Sequence, residues 1–256
     1  DAAAAGTTTP PVSRTLDHVV VKEGLRDVGH LRWIMKDMAN GLAYLHGNQE
    51  LAARGLTHRD LKPQNVLVKR LRSTKGPSGG NQAKLADFGS AKVHQGRTMA
   101  TTRGVGTDGW QSPEAIRGEE TGPAADVFSL GLIFFYCLTG GRHVFGEDPM
   151  KRKRAMMKFA MADDPDEEDE EERAEAVQAA DAKVARNVER LLSSACSSAE
   201  VVPVAKALIT RMLRLRPEAR PPMTEVALDP LLDLRARPVD ADGSDVGAGA
   251  GEPNHD

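Results

Sequence analysis

Residues 58–65 read His58-Arg59-Asp60-Leu61-Lys62-Pro63-Gln64-Asn65, and the reading of the whole chain turns on them. Twenty-two residues after Asn65 stands Asp87-Phe88-Gly89, and further on Ser112-Pro113-Glu114. Between the first two blocks lie two short apolar runs, 66–68 (VLV) and 83–86 (AKLA), which read as strands. A basic, glycine-rich stretch separates them and reads as a loop. The two strands together make a hairpin, which would fix Asn65 relative to Asp87.

Working outward, helical periods dominate. Leu31, Ile34, Met35, Met38, Leu42 and Leu45 fall at offsets 0, 3, 4, 7, 11 and 14, one helical stripe. A shorter helix is expected over Thr15–Lys22, with Leu16, Val19 and Val20 on one face. Residues 126–139 (DVFSLGLIFFYCLT) are apolar nearly all round and predict a buried helix. Val204, Leu208, Met212 and Leu215 restore the period near the end. Residues 87–125, rich in Gly, Thr and Ser, read as a long ordered loop. The expected fold is mainly α (α+β): a helical bundle with one short β-hairpin.

The chain has 256 residues, enough for one domain with tails, and 40% of them are apolar, enough for a core. Net charge is −3, which points to neither a nucleic acid nor a membrane partner. Residues 163–172 (DDPDEEDEEE) hold nine of the acids. With the basic KRKR at 151–154, they mark 147–186 as an insertion, read as solvated and disordered. Removing Asp163–Glu172 is expected to change stability little. Residues 1–14 read as a flexible lead-in and 233–256 as a disordered tail. Two cysteines, Cys137 and Cys196, exclude a disulfide framework or a Cys-rich zinc site. The longest apolar run, near Val127–Leu138, falls far short of the roughly 20 residues that span a bilayer. The chain opens on Asp1 without a signal-peptide pattern and reads as a piece of a longer frame.

The three blocks, in this order and at this spacing, resemble the catalytic loop, the metal-binding triplet and the end of the activation segment of eukaryotic-type protein kinases. The resemblance implies ATP as phosphate donor, Mg²⁺ as cofactor and a protein Ser or Thr hydroxyl as acceptor. In that family Asp60 orients the acceptor hydroxyl, and Lys62 reaches the transferring phosphate and marks Ser/Thr specificity. Asn65 and Asp87 bring oxygen ligands to Mg²⁺, a hard cation. Glu114 pairs with Arg220 of the late Arg220-Pro221 motif, and Asp126 tethers the catalytic-loop backbone, although a plain helix N-cap would also suit it. Thr107 is similar to the Thr of the substrate-contacting loop. It lies in Gly104-Val-Gly106-Thr-Asp-Gly109, a G-x-G-x-x-G in the wrong place for a nucleotide loop.

Val19-Val-Val21-Lys22 imitates the strand of the ATP-anchoring Lys, but it precedes His58 by only 36 residues. Lys22 therefore reads as an exposed helix end. No glycine-rich loop, V-A-I-K or helix C glutamate precedes His58. The resemblance thus covers the C-terminal lobe alone, roughly Thr15 to Leu232 without the insertion. It implies an N-terminal lobe as partner in cis and an inactive fragment without it. The stretches Gly106–Glu114, Asp126–Gly131, Gly141–Gly146 and Asn187–Leu192 are similar to Ire-type (inositol-requiring) unfolded-protein-response kinases. That likeness implies a homodimer on the cytosolic side of the endoplasmic reticulum membrane. Only a Gly/Ala/Asp-rich tail follows Leu232, so no RNase activity is expected of this chain. The alternative reading is a non-catalytic kinase-like interaction module.

Arg59 directly precedes Asp60, and in kinases with this arginine its charge is held near the activation segment. Thr98, Thr101 and Thr102, beside Arg97 and Arg103, are the candidate phosphorylation sites. A phosphate there adds about −1.5 to −2 charge and could pair bidentately with Arg59. Replacing all three threonines with Ala, in a protein carrying both lobes, should lower peptide phosphorylation at least about tenfold. Unchanged activity would remove this switch.

Overall fold

The computed structural model describes residues 14–47, 56–70, 81–91, 106–164 and 167–234. In chain order the elements are β1 (Arg14–Thr15), α1 (Val28–Gly47), β2 (Val66–Arg70), β3 (Asn81–Leu85), α2 (Pro113–Arg117) and α3 (Pro123–Leu138). Then follow α4 (Pro149–Ala160), α5 (Glu170–Ala195), α6 (Val201–Met212) and α7 (Met223–Val226). A helical turn at His18–Lys22 and 3₁₀ turns at 63–65, 88–90, 217–219 and 230–232 complete the set among the described residues. The fold is helix-rich with one small sheet, as the sequence predicts. No helix among the described residues is long and apolar enough to cross a membrane.

At the centre lies α3. Every residue from Ala125 to Leu138 is buried, which matches its unbroken apolar run. Pro123 at its first turn supplies a preset φ and lacks an amide the helix would leave unpaired. Gly131 faces α6 so closely that a Cβ there would come within 2.9 Å of the Met212 Cβ. The helix packs on α6, α1 and α5. Against it, α1 turns the expected stripe of Leu31, Ile34, Met35, Met38, Leu42 and Leu45. The other side of α1 carries β3.

The sheet is antiparallel in the order β1-β2-β3. Val66 pairs with Leu85 and Val68 with Ala83, so the expected hairpin is present. Thr15 differs from expectation: it belongs to β1, opposite Leu67, and the helical turn begins after it. Leu16, Val19 and Val20 are buried, and Lys22 is exposed. The loop expected over 87–125 is shorter than read, because α2 and the start of α3 fall inside it. The lead-in and the tail lie outside the described residues, apart from Arg14, Asp233 and Leu234.

Residues 147–186 correct the sequence reading more sharply. Most of them form α4 and the first part of α5, not a solvated insertion. The cause lies in the acids themselves. Asp169 caps α5 by accepting from the amides of Glu171 and Glu172, and Glu170–Glu172 place negative charge on its first turn. Further along, Val177, Asp181, Val184, Val188 and Leu192 form a buried stripe. Asp163 is only 6% exposed. It accepts from Arg173 Nε at 2.6 Å and from Arg216 Nη2 at 3.1 Å and Nε at 3.2 Å.

Burial works to raise the Asp163 pKa, but the hydrogen bonds and charges of Arg216 and Arg173 hold it below the ordinary value of 3.8. A depressed folded pKa means stability that is present above 3.8 and lost as pH falls through the folded value. Asp163→Asn should therefore destabilise the chain by about 1–2 kcal/mol near neutrality, since both arginines keep partial access to water. Urea titrations at several pH values should show the difference shrinking in acid. A constant difference would assign the effect to packing instead.

Candidate active site

The β2–β3 hairpin sets the first distance. Val66 and Leu85 are opposed, and the Ala86 amide donates to the Asn65 carbonyl at 2.9 Å. This register holds the end of the 58–65 loop beside the start of Asp87-Phe88-Gly89. From the same loop, His58 Nε2 donates to the Ala86 carbonyl at 3.0 Å, and its ring lies 4.8 Å from that of Phe88.

Asp60 is the focus of the loop. Its Oδ2 accepts from Lys62 Nζ at 2.8 Å and from Asn65 Nδ2 at 3.1 Å. Its Oδ1 accepts from the Thr107 hydroxyl at 2.8 Å and the Thr107 amide at 3.0 Å. Lys62 Nζ also reaches Thr107 Oγ1 at 2.6 Å, which closes a triangle of three side chains. Burial works to raise the Asp60 pKa. Donors from Lys62, Thr107 and Asn65 prevail and hold it below 3.8, so the carboxylate is ionised at neutral pH.

Asp126 fixes the backbone that carries this carboxylate. Its Oδ1 accepts from the Arg59 amide at 2.9 Å, and its Oδ2 from the His58 amide at 2.8 Å and His46 Nε2 at 3.0 Å. Gly122 is the N-cap of α3, so Asp126 is no helix cap here; it tethers the loop. The tether is needed because Arg59 sits at φ 72°, a left-handed conformation that side chains disfavour. Asp87 is the only other non-glycine residue with positive φ among the described residues, at 63°. Its exposed carboxylate accepts one long bond, from the Gly89 amide at 3.4 Å.

Glu114 and Arg220 meet in the core. Arg220 Nη1 and Nη2 donate to the two carboxylate oxygens, each at 2.8 Å. The remaining guanidinium donors go to the carbonyls of Ala124, Arg214 and Leu215 at 2.8–2.9 Å. All five donors are thus used, and the guanidinium carbon lies 5.0 Å from the centre of the Phe128 ring.

Residues 9–232 match the protein kinase domain family, nearly the whole chain. The chain belongs to the protein kinase family. It is 42% identical over 120 residues to the serine/threonine-protein kinase/endoribonuclease IRE1b of Arabidopsis thaliana, covering 45% of this chain and 12% of that protein. It is 40% identical over 137 residues to ire-1 of Caenorhabditis elegans, a protein of the same description, covering 51% and 13%. With IRE1a of Arabidopsis thaliana it shares 34% over 203 residues, covering 77% and 18%. The chain therefore spans less than a fifth of the length of these relatives.

Within this kinase lobe the 107–112 loop is fastened from several sides. Trp110 closes a turn by donating its amide to the Thr107 carbonyl at 3.1 Å, and the Trp110 carbonyl accepts from the Ser129 hydroxyl at 2.7 Å. His143 is a residue to which the sequence reading gave no task. Its Nε2 donates to the Gly109 carbonyl at 2.8 Å, so its Nδ1 must be the acceptor for the Phe145 amide at 3.2 Å. Burial pushes its pKa down to about 3, and the ring is neutral. The Gly141-Arg-His143-Val-Phe145-Gly146 motif was the signal that could have exposed it.

The structure thus brings Asp60, Lys62, Asn65 and Thr107 together, with Arg59 held by Asp126 behind them and Asp87 one residue beyond the Asn65-bonded amide. It pairs Glu114 with Arg220 farther back. Thr98, Thr101 and Thr102, with Arg97 and Arg103, lie outside the described residues. Removing the Arg220 guanidinium would leave Glu114 a buried carboxylate without its ion pair and take a donor from each of three carbonyls. Arg220→Ala should destabilise the fold by about 3–5 kcal/mol, read as a lower urea midpoint at an unchanged slope. A loss below about 1 kcal/mol would mean that the site is wet.

Proposed function

We propose that this chain carries the catalytic loop of a serine/threonine protein kinase, which transfers the γ-phosphate of ATP to a Ser or Thr hydroxyl of a protein. The observation that carries the reading is the three-way bonding of Asp60, Lys62 and Thr107. An ionised, oriented Asp60 can accept the hydrogen bond of an incoming hydroxyl and align its oxygen. Little proton transfer is needed in a loose transition state. Lys62 brings a compact cation to the same spot, where it can offset charge on the transferring phosphate. Thr107, bonded to both, keeps the substrate side of the cleft in register with them. A non-catalytic interaction module would have no use for this cluster.

Asn65 and Asp87 are the residues that would hold Mg²⁺. Asn65 spends its amide nitrogen on the Asp60 carbonyl and carboxylate, and no described residue donates to its Oδ1. The Asp87 carboxylate is exposed and weakly engaged. Both therefore offer hard oxygens that suit this ion. Bound there, Mg²⁺ would screen the phosphate charges.

Likeness to the IRE1 relatives supports the finer reading: an Ire-type kinase of the unfolded protein response, homodimeric and cytosolic at the endoplasmic reticulum membrane. Arg59 supports control by phosphorylation, since its buried Nε has no hydrogen-bond partner among the described residues and could receive an anion.

The test joins the chain to a nucleotide-binding N-terminal lobe and follows phosphate transfer to a Ser/Thr peptide. Asp60→Asn should slow transfer by about 10²–10⁴-fold and keep Mg²⁺-dependent ATP binding. Asp87→Ala should lose that binding too. Near wild-type transfer by Asp60→Asn would overturn the assignment.

A further inference from the structure

The solvent face of α4 is unusual in composition. Met150, Met157 and Met161 are exposed by 76%, 47% and 50%, three of the eight large apolar side chains exposed among the described residues. With Arg154 they fall at offsets 0, 4, 7 and 11, a single helical stripe. Lys151, Lys153 and Lys158 flank it. The opposite face of α4 needs no further partner: Met156, Phe159 and Ala160 are buried, and the Phe159 ring packs on Phe128 and Phe145.

Met157 also opens into a cavity of about 170 Å³ between α4, α2 and the 107–112 loop. Asp108, Gln111, Ile116, Lys153 and Met156 share its lining. Asp108 already neutralises Lys153 at 2.8 Å. Of the other nearby acids, Glu147 lies 3.8 Å from Arg142, and Asp148 accepts from the Lys151 amide as the helix cap. No ion pair joins the Lys151, Arg154 or Lys158 side chains to a carboxylate among the described residues. Arg152 leans over the loop, where a Cβ on Gly109 would lie 3.3 Å from its Nε.

We infer that α4 is a docking surface for an acidic, amphipathic segment of the protein that is to be phosphorylated. Apolar side chains of that segment lie along the methionine stripe, with one entering the cavity beside Met157. Its carboxylates meet Lys151, Arg154 and Lys158. Methionine suits such a surface because its unbranched thioether adapts to differing partners. The cavity gives depth that a lipid surface would not use. The exposed acids at 167–172, a few residues beyond the helix, would repel a broad anionic membrane more than a short segment. The cavity shares Asp108 with the loop whose preceding residue, Thr107, bonds Asp60, so a docked segment is anchored beside the reacting group. The partner's role as substrate rests on the kinase reading above. The binding itself needs no phosphate transfer and can be measured without nucleotide.

The test uses the chain itself and two fluorescein-labelled peptides, followed by polarisation. Both carry leucines at helical spacing; one has glutamates between them and the other lysines. The glutamate peptide should bind and the lysine peptide should not. Lys151→Glu combined with Arg154→Glu should weaken binding about tenfold, or ~1.4 kcal/mol. Met150→Ser combined with Met157→Ser should weaken it similarly, and added salt should weaken the wild type more than the charge variant. All four substituted side chains are on the surface, so circular dichroism should be unchanged. Equal binding of the two peptides, or full affinity in both variants, would overturn the inference. So would capture of the chain by phosphatidylserine vesicles through the same residues, or a salt-sensitive dimer that the charge variant dissolves. Phosphate transfer is read separately, in the protein joined to a nucleotide-binding lobe; its absence there with peptide binding intact would count against the kinase reading alone.

Discussion

One buried carboxylate joins the parts on which everything else depends. Asp126 sits in the first turns of α3, the most buried of the described helices, and accepts from the amides of His58 and Arg59 and from His46 on α1. Four lone-pair sites and three donors leave it well satisfied, as a carboxylate with 1% exposure must be. The amide bonds also restrain a backbone that would otherwise relax, because Arg59 is in the left-handed region. Strain of this kind, of order 1–3 kcal/mol, persists only where surrounding bonds over-determine it. The loop that presents Asp60 is therefore held by the core, not by its own local preference.

The same economy recurs at Arg220. Its guanidinium ties Glu114 of α2 to the carbonyls of Ala124, Arg214 and Leu215, so one side chain gathers α2, the start of α3 and the stretch after α6. A buried ion pair is weak evidence for stability on its own, because desolvation offsets much of the attraction. What it supplies here is a fixed geometry. A planar fork can satisfy a carboxylate and three carbonyls in only one arrangement, and a lysine could not do so. The position of α2 at the end of the 107–112 loop follows from it.

Much of this was legible in the sequence, and the parts that were not have identifiable causes. The stripe from Leu31 to Leu45, the buried helix and the hairpin follow from hydrophobic period alone, since each buries one face or all of it. The roles of Asp126, Glu114 and Thr107 as contacts were legible only through family likeness, because each depends on a partner 47 to 106 residues away. The acidic run was misread. Counting its charges predicts mutual repulsion, but Asp169 and the glutamates after it are also what a helix start looks like. Asp163 was counted among the solvated acids, although Arg173 and Arg216 neutralise it. Net charge per segment misses that pairing when one partner is 53 residues distant. His143 was missed because it bonds only backbone, which leaves no complementary side chain to search for.

These anchors together decide which side of the cleft is rigid. The 107–112 loop meets the catalytic loop through Thr107, but α3 holds it through Ser129, the α3–α4 connection through His143, and α4 through Lys153. The two interior anchors use neutral groups. Ser129 does not titrate, and burial keeps His143 uncharged down to about pH 3. The Lys153–Asp108 pair is exposed and screened by salt, so it adds little holding force. Loop placement should thus be insensitive to pH and ionic strength near neutrality, while charge on the surface of α4 remains sensitive to both. The fold separates the geometry of the Asp60 cluster, held by interior bonds from Asp126, Ser129 and His143, from whatever α4 attracts through exposed cations. A change in the charge of α4 can therefore alter what approaches Asp60 without moving Asp60 itself.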